Sequence, residues 1–187
     1  MRYKKSDLYR WNPPEAPNAS KGNTEGRSDL RSEEKAYIAG FLDGDGCLMA
    51  QLVRRKDYIY GYQIRVSVVF YQKQNHQEIL KWLKSKLHLG YIRQRNDGMA
   101  EYTIVGLGEV EKILRLLTPY LRLKRTLAKR VLRLIEVHPE RMTPPKLIRL
   151  SKLVDDTATF NYSKKRTNTS ETIKTFLKKR KSFPRRD

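Results

Sequence analysis

Two aspartates, Asp43 and Asp45, stand among glycines at the end of the segment Ala36-Tyr37-Ile38-Ala39-Gly40-Phe41-Leu42-Asp43-Gly44-Asp45-Gly46. Ser32 reads as a hydroxyl N-cap, followed by Glu33 and Glu34 where a helix dipole favours acids. A helix is therefore expected from Ser32 through Leu42, stopping in Gly44-Asp45-Gly46. Both aspartates then fall at its C-terminus, where the dipole disfavours negative charge. A hard divalent cation would compensate them, because it takes oxygen ligands and prefers carboxylates. Asp-Gly-Asp-Gly is also built from turn-forming residues, so a plain turn competes with the cation site. On the other side of the segment, Ala36, Gly40 and Gly44 recur every four residues along one helix face. Small residues let two backbones approach closely. A glycine inside a helix costs about 1 kcal/mol against alanine, so Gly40 implies a packing reason. Ile38, Phe41 and Leu42 face a core, and the opposite strip meets another copy of the same helix.

The elements that must carry this segment follow from periodicity. Cys47 to Arg54 reads as a strand and Tyr60 to Lys73 as a longer one, with Gln63, Arg65 and Ser67 alternating against Ile64, Val66 and Val68. Asn75 to Leu87 reads as an amphipathic helix, with Ile79, Leu80, Leu83 and Leu87 on one stripe. A hairpin spans Gly90–Arg95 and Met99–Val105 around the turn signal Asn96-Asp97-Gly98. Helices are expected at about 108–118, 125–137, 145–157 and 170–181, punctuated by Pro119, Pro139, Pro144 and Pro145. The order is αββαββα plus C-terminal helices, an α/β (α+β) domain on an antiparallel sheet. Residues 1–31 read as a loosely ordered N-terminal extension, 32–175 as the domain, and 176–187 as a basic tail.

The chain has 187 residues, enough for one domain with a real core. It carries 40 Lys and Arg against 20 Asp and Glu, a net charge of +20, and a polyanion is the natural partner. The excess is uneven: residues 106–187 hold 22 basic and 8 acidic side chains, whereas 32–56 hold 4 of each. The C-terminal helices are thus placed to meet phosphates. The single cysteine, Cys47, excludes an intrachain disulfide and a thiolate zinc site. No run of about 18 apolar residues is present, so neither a membrane span nor a secretory signal is expected. One sheet face packs under helices and the other is open, with Arg55, Gln63, Arg65, Arg93 and Arg95 as its candidates. A β-ribbon fits the DNA major groove, and these side chains read base edges there. A merely solvated face is the plain alternative. At about 3.3 Å per residue, the long strand spans about 30 Å or more. It would follow roughly nine base pairs of duplex at about 3.4 Å each.

Residues Ala36 to Gly46 resemble the LAGLIDADG motif. The resemblance runs to about residue 175 through Gln51, Gln72-Lys73, Gly90-Tyr91-Ile92-Arg93, Pro119-Tyr120-Leu121-Arg122-Leu123-Lys124 and Thr169-Ser170-Glu171-Thr172. It is to the single-motif, homodimeric homing endonucleases encoded in group I introns. The resemblance implies a site-specific double-strand DNA endonuclease that cuts across the minor groove of a long pseudo-palindromic target. Two motif helices would pack at a dyad, with Asp45 of each copy and the carbonyl of Gly44 as metal ligands. Mg²⁺ is the implied cofactor, Mn²⁺ a substitute, and Ca²⁺ an ion that binds without supporting cleavage. Gln72 matches the position that orders the attacking water and Lys124 the one facing the reacting phosphate. His76 stands where relatives carry Arg or Lys; it serves as a phosphate donor or proton shuttle, or is an ordinary residue at a helix start. Glu101 and Cys47 match supporting positions, and His88 and His138 read as structural. Gln51, which the resemblance covers, and Tyr58, Ser67 and Lys164 complete the DNA-binding set. No small-molecule substrate is implied. The source implied is an organelle, a chloroplast before a mitochondrion, or a microbial cytoplasm. An intron RNA maturase and a non-catalytic nucleic-acid-binding protein remain the competing functions.

Overall fold

The computed structural model describes residues 30–161 and 166–181. Helix α1 (Ser32–Asp45) leads without a break into strand β1 (Gly46–Arg54), which turns back as β2 (Tyr62–Lys73). A 3-10 turn (Gln74–His76) and α2 (Glu78–Leu87) follow, then the hairpin β3 (Tyr91–Gln94) and β4 (Met99–Val105). Four helices follow among the described residues: α3 (Leu107–Leu117), α4 (Arg125–Glu136), α5 (Pro144–Ala158) and α6 (Ser170–Lys181). The αββαββα order with extra C-terminal helices is the one the periodicity predicts. No described helix is long and apolar enough to cross a membrane.

All strand pairs are antiparallel, in the order β1-β2-β4-β3. Residues directly opposite one another share a face, and the register puts Leu48, Val68 and Ile104 in one row and Phe70 and Tyr102 in the next. These side chains are fully buried under Ile38 and Leu42 of α1, Leu80 and Leu83 of α2, and the apolar stripes of α3 and α4. The rings of Phe70 and Tyr102 stack at 5.9 Å, and Phe41 meets Phe70 at 5.7 Å. Tyr102 donates its hydroxyl to the Leu89 carbonyl at 2.6 Å, so the phenol is satisfied although burial pushes its pKa up.

Several boundaries differ from the periodicity, three of them for a clear local reason. The N-cap of α1 is Arg31 rather than Ser32. Glu34 accepts the Arg31 backbone N–H at 3.0 Å and is itself held by Lys86 at 2.7 Å. The helix expected from Asn75 opens as a separate 3-10 turn, because the Gln74 amide donates to the carbonyls of Arg95 (2.7 Å) and Met99 (3.3 Å). Strand β2 starts at Tyr62 because Gly61 donates to the Tyr58 carbonyl at 2.8 Å, closing the loop before it. The last helix runs through residue 175 to Lys181, and Phe176 meets the ring of Tyr62 at 5.3 Å while Leu177 is buried.

Strand β1 is an edge strand, yet two of its outward carbonyls are occupied. Asn161 donates to the Leu48 carbonyl at 3.0 Å and Asn168 to that of Leu52 at 2.9 Å. Asp155 fixes the second of these segments, accepting the Ser170 N–H at 2.9 Å and the Arg166 guanidinium at 2.7 Å.

Candidate active site

Helix α1 ends at Asp45 and no basic residue stands in its last turn. The two aspartates have opposite fates. Asp43 is saturated: its carboxylate accepts the backbone N–H groups of Arg122 (2.7 Å), Leu123 (3.1 Å) and Lys124 (2.9 Å). These residues lead into α4, whose N-cap is Lys124, so the carboxylate answers free N–H groups at a positive helix end. The Lys124 ammonium donates in return to the main-chain carbonyl of Asp43 at 2.5 Å. Asp45, by contrast, is exposed, with no hydrogen-bond or ion-pair partner among the described residues. Gly44 beside it is exposed too, and a Cβ built there would meet nothing within 4 Å.

The strand register brings further residues to this end of the sheet. Gly46 pairs with Phe70, so Gln72 lies two positions farther along β2, level with the end of α1. The Gln72 amide oxygen accepts the Lys73 N–H at 2.9 Å, which leaves its NH₂ without a partner among the described residues. Cys47 is half-buried here; burial pushes its thiol pKa up, opposed by the nearby Lys124 charge. The raised pKa disfavours the nucleophilic thiolate. His76 ends the 3-10 turn, exposed and without a side-chain partner among the described residues. His88 is the left-handed C-cap of α2, φ 54°, with its N–H on the Lys84 carbonyl, a structural place.

The open sheet face carries the other candidates, though not all as the alternation suggests. Gln51 and Arg65 sit directly opposite each other, and Gln63 faces Val53 one pair along. The Arg65 Nε is buried with no hydrogen-bond partner. Arg93 and Glu101 are also opposite. Glu101 is only 8% exposed and holds Arg93 at 2.8 Å and Arg95 at 3.9 Å. Arg55 and Arg95 lie just past strand ends rather than on strands; each folds back on an aspartate two residues ahead, Asp57 at 3.0 Å and Asp97 at 2.6 Å. Tyr58 is exposed in the loop between β1 and β2. Ser67 lies on the open face between Met49 and Val105 but is 2% exposed, so its neighbours leave it little room for a base edge. Lys164 lies outside the described residues, as does the N-terminal extension up to residue 29.

Charge and spacing left Asp43 and Asp45 alike, and sequence reasoning passed over Asn161 and Asn168. Among the described residues no group of three His, Cys, Asp or Glu is placed to hold a metal ion. One copy thus offers a free carboxylate and adjacent carbonyls, hard oxygen donors too few to form a cage alone.

Comparison with known proteins agrees with this architecture. The model of the LAGLIDADG endonuclease family matches residues 38–135. The DNA endonuclease I-CvuI of Chlorella vulgaris is 41% identical over 144 residues, covering 77% of this chain and 89% of the relative. I-CreI of Chlamydomonas reinhardtii is 33% identical over 153 residues, covering 79% and 93%. The crystal structure of I-CvuI with the I-CreI target in 2 mM Mg, its DNA not cleaved, superposes with a TM-score of 0.77 at 39% identity over 81% of this chain and 97% of that one. The archaeal intron-encoded I-Vdi141I, crystallised with DNA, shares the fold at a TM-score of 0.69 and 18% identity, covering 79% of this chain and 96% of that one. With the motif, its following strands and most of the chain matched, this protein belongs to the LAGLIDADG endonuclease family.

Proposed function

We propose that this chain is a site-specific DNA endonuclease that acts as a homodimer through the Ala36–Gly46 helix. It hydrolyses one phosphodiester of each strand across the minor groove of a long pseudo-palindromic target, with a divalent metal. The observation that carries the reading is the Asp45 carboxylate at the end of α1, without a partner among the described residues and two residues past the Asp43 carbonyl that holds the Lys124 ammonium. The carboxylate and the ammonium thus both stand at the end of α1, beside an Arg- and Gln-bearing sheet.

Asp45 and the Gly44 carbonyl supply hard oxygen donors at the negative end of a helix dipole, which suits Mg²⁺, with Mn²⁺ in its place and Ca²⁺ as an inert occupant. The remaining ligands would come from a second copy and from phosphate oxygens. When bound, the metal supplies Lewis-acid stabilisation to the attacking and leaving oxygens of an in-line displacement. The Gln72 amide orients water at the scissile phosphate through its free NH₂. Lys124 sets a fixed positive charge toward the same phosphate. His76, exposed on the neighbouring turn, would donate to a flanking phosphate.

Binding would be laid out along the sheet. The 12 residues of β2 at about 3.3 Å each span the major groove of roughly one half-site. Gln51, Gln63 and Arg65 read base edges, with Arg93, Arg95, Arg55, Tyr58, Ser67 and Lys164 around them. The buried, unpartnered Arg65 Nε favours Arg65 as an anchor, since an unmade bond there costs about 1–3 kcal/mol that an acceptor recovers. Arg65→Ala is expected to weaken binding by about 1–3 kcal/mol and to relax preference at one base-pair position per half-site. A binding titration against single-position variants of the site checks this; a uniform loss across positions would make Arg65 a phosphate contact.

The overall test is selection of cleaved sites from a randomised duplex library with Mg²⁺. The expected product is one pseudo-palindromic family of sites cut on both strands. RNA binding without any DNA cleavage would overturn the reading and favour a maturase. An intronic source, a chloroplast first, accords with the reading and is tested by finding the selected site at an intronless allele.

A further inference from the structure

Asp43 and Lys124 are joined twice, and the joint ties the two helix ends of the site together. One bond set runs from the three N–H groups before α4 to the Asp43 carboxylate. The other runs from the Lys124 ammonium to the carbonyl of Asp43. That carbonyl belongs to the last turn of α1, which has no basic residue of its own. Lys124 therefore supplies the positive charge that the negative end of α1 lacks. Its bond ends on a main-chain carbonyl, and no acidic side chain is ion-paired with it among the described residues. Asp45 lies only two residues away, and a lysine on a loose loop would swing to it, since unlike charges in reach pair readily. Each would then neutralise the other.

We infer that Asp43 is the positioning residue of the site, holding the Lys124 ammonium on a main-chain carbonyl and off the Asp45 carboxylate. The acid stays open to a cation and two ammonium N–H groups stay open to a phosphate. The inference rests on the proposed nuclease reading only for its catalytic consequence; the positional claim concerns the free chain.

Two measurements on the full-length protein separate these. In the first, ¹H–¹⁵N spectra of the lysine ammonium groups are recorded without DNA, with the Lys124 signal identified by its loss in Lys124→Met. Hydrogen bonding to the Asp43 carbonyl protects that signal, and Asp43→Asn is expected to abolish it while the backbone spectrum of α4 persists. A Lys124 signal unchanged in Asp43→Asn overturns the inference. In the second, single-turnover cleavage of a duplex selected by the wild-type protein is followed in Mg²⁺. Asp43→Asn is expected to slow it about 100-fold, the scale of a misplaced group. Affinity in Ca²⁺ should stay within about threefold, and in a Lys124→Met background the same substitution should change the rate by less than about threefold, because the two act as one unit. Effects that multiply overturn the inference. Asp43→Glu, which keeps a carboxylate, is expected to recover part of both readouts; if Asp43→Asn unfolds, the Glu variant carries the test, and a wild-type ammonium position there with lost cleavage overturns it. Wild-type protein that cuts no duplex yet shows the protected ammonium would sink the nuclease reading alone.

Discussion

Asp45→Asn is expected to lower the Mg²⁺-supported cleavage rate by about 10³-fold or more, since a metal's transition-state stabilisation is worth several kcal/mol and each 1.36 kcal/mol is tenfold. The sign of its other effects makes the prediction sharper. In the absence of divalent ions, Asp45 is a carboxylate facing phosphates, so removing its charge should tighten DNA binding. In Ca²⁺ the order should reverse, because the carboxylate then holds the ion that the phosphates need. The variant should also melt slightly higher than wild type, as an acid is lost from the negative end of α1. Stability and catalysis are thus opposed at this residue, as they commonly are at functional sites. Filter binding with EDTA and with Ca²⁺, single-turnover kinetics and thermal melts read all three signs. Nicking by Asp45→Asn near the wild-type rate would remove Asp45 from the metal site.

The second large effect concerns Gly40. A Cβ built there meets nothing within 4 Å, and the same is true of Gly44. Among the described residues of one chain no packing requires glycine at either position, and Gly40→Ala should gain up to about 1 kcal/mol of helix stability. The gain would be forgone for nothing unless another body occupies that face. Ala36 completes the strip, Tyr37 is 55% exposed beside it, and Leu123, held against the end of α1 by Asp43, is 80% exposed. Under the dimer reading, Gly40→Leu wedges two helices apart. Overpacking costs about 1–3 kcal/mol and a two-fold axis counts it twice. The dimer Kd should therefore rise by roughly 30-fold to 10⁴-fold, with cleavage lost in step. Melting of the diluted monomer should stay at or above wild type. Sedimentation of wild type, Gly40→Ala and Gly40→Leu with and without target DNA measures this. A Gly40→Leu protein that remains a dimer would show that the copies meet elsewhere.

Local signals were legible in the sequence and distant ones were not. Period-two alternation in β2 and period-3.6 stripes in α2 and α4 are written in neighbouring residues, and Asn96-Asp97-Gly98 marks its own turn. The misplaced charge of Asp43 and Asp45 was equally visible, yet it did not tell the two acids apart. What tells them apart is a set of N–H groups 79 to 81 residues away. No spacing within the motif points to that distance. The Ser32 cap was misread because a hydroxyl is a common N-cap, whereas here Glu34 reaches back to Arg31. Arg55 and Arg95 carried an unread signal: both stand two residues before an aspartate at a strand end, and both are paired to it. Ser67 shows the limit of alternation, which assigns a face but not what the neighbours on that face leave uncovered.

The two asparagines on β1 have a consequence for assembly. Open strand edges are adhesive, since any chain with free N–H and C=O groups can extend the sheet. On the β1 side, Asn161 and Asn168 occupy the Leu48 and Leu52 carbonyls, and on the far side β3 is only 4 residues long. A second copy is thereby discouraged from joining edge to edge into one continuous eight-stranded slab. Under the dimer reading, helix α1 remains as the contact and each copy keeps its own sheet. On the proposed reading, two separate sheets rather than one continuous plate would suit a double helix followed in both directions from a centre.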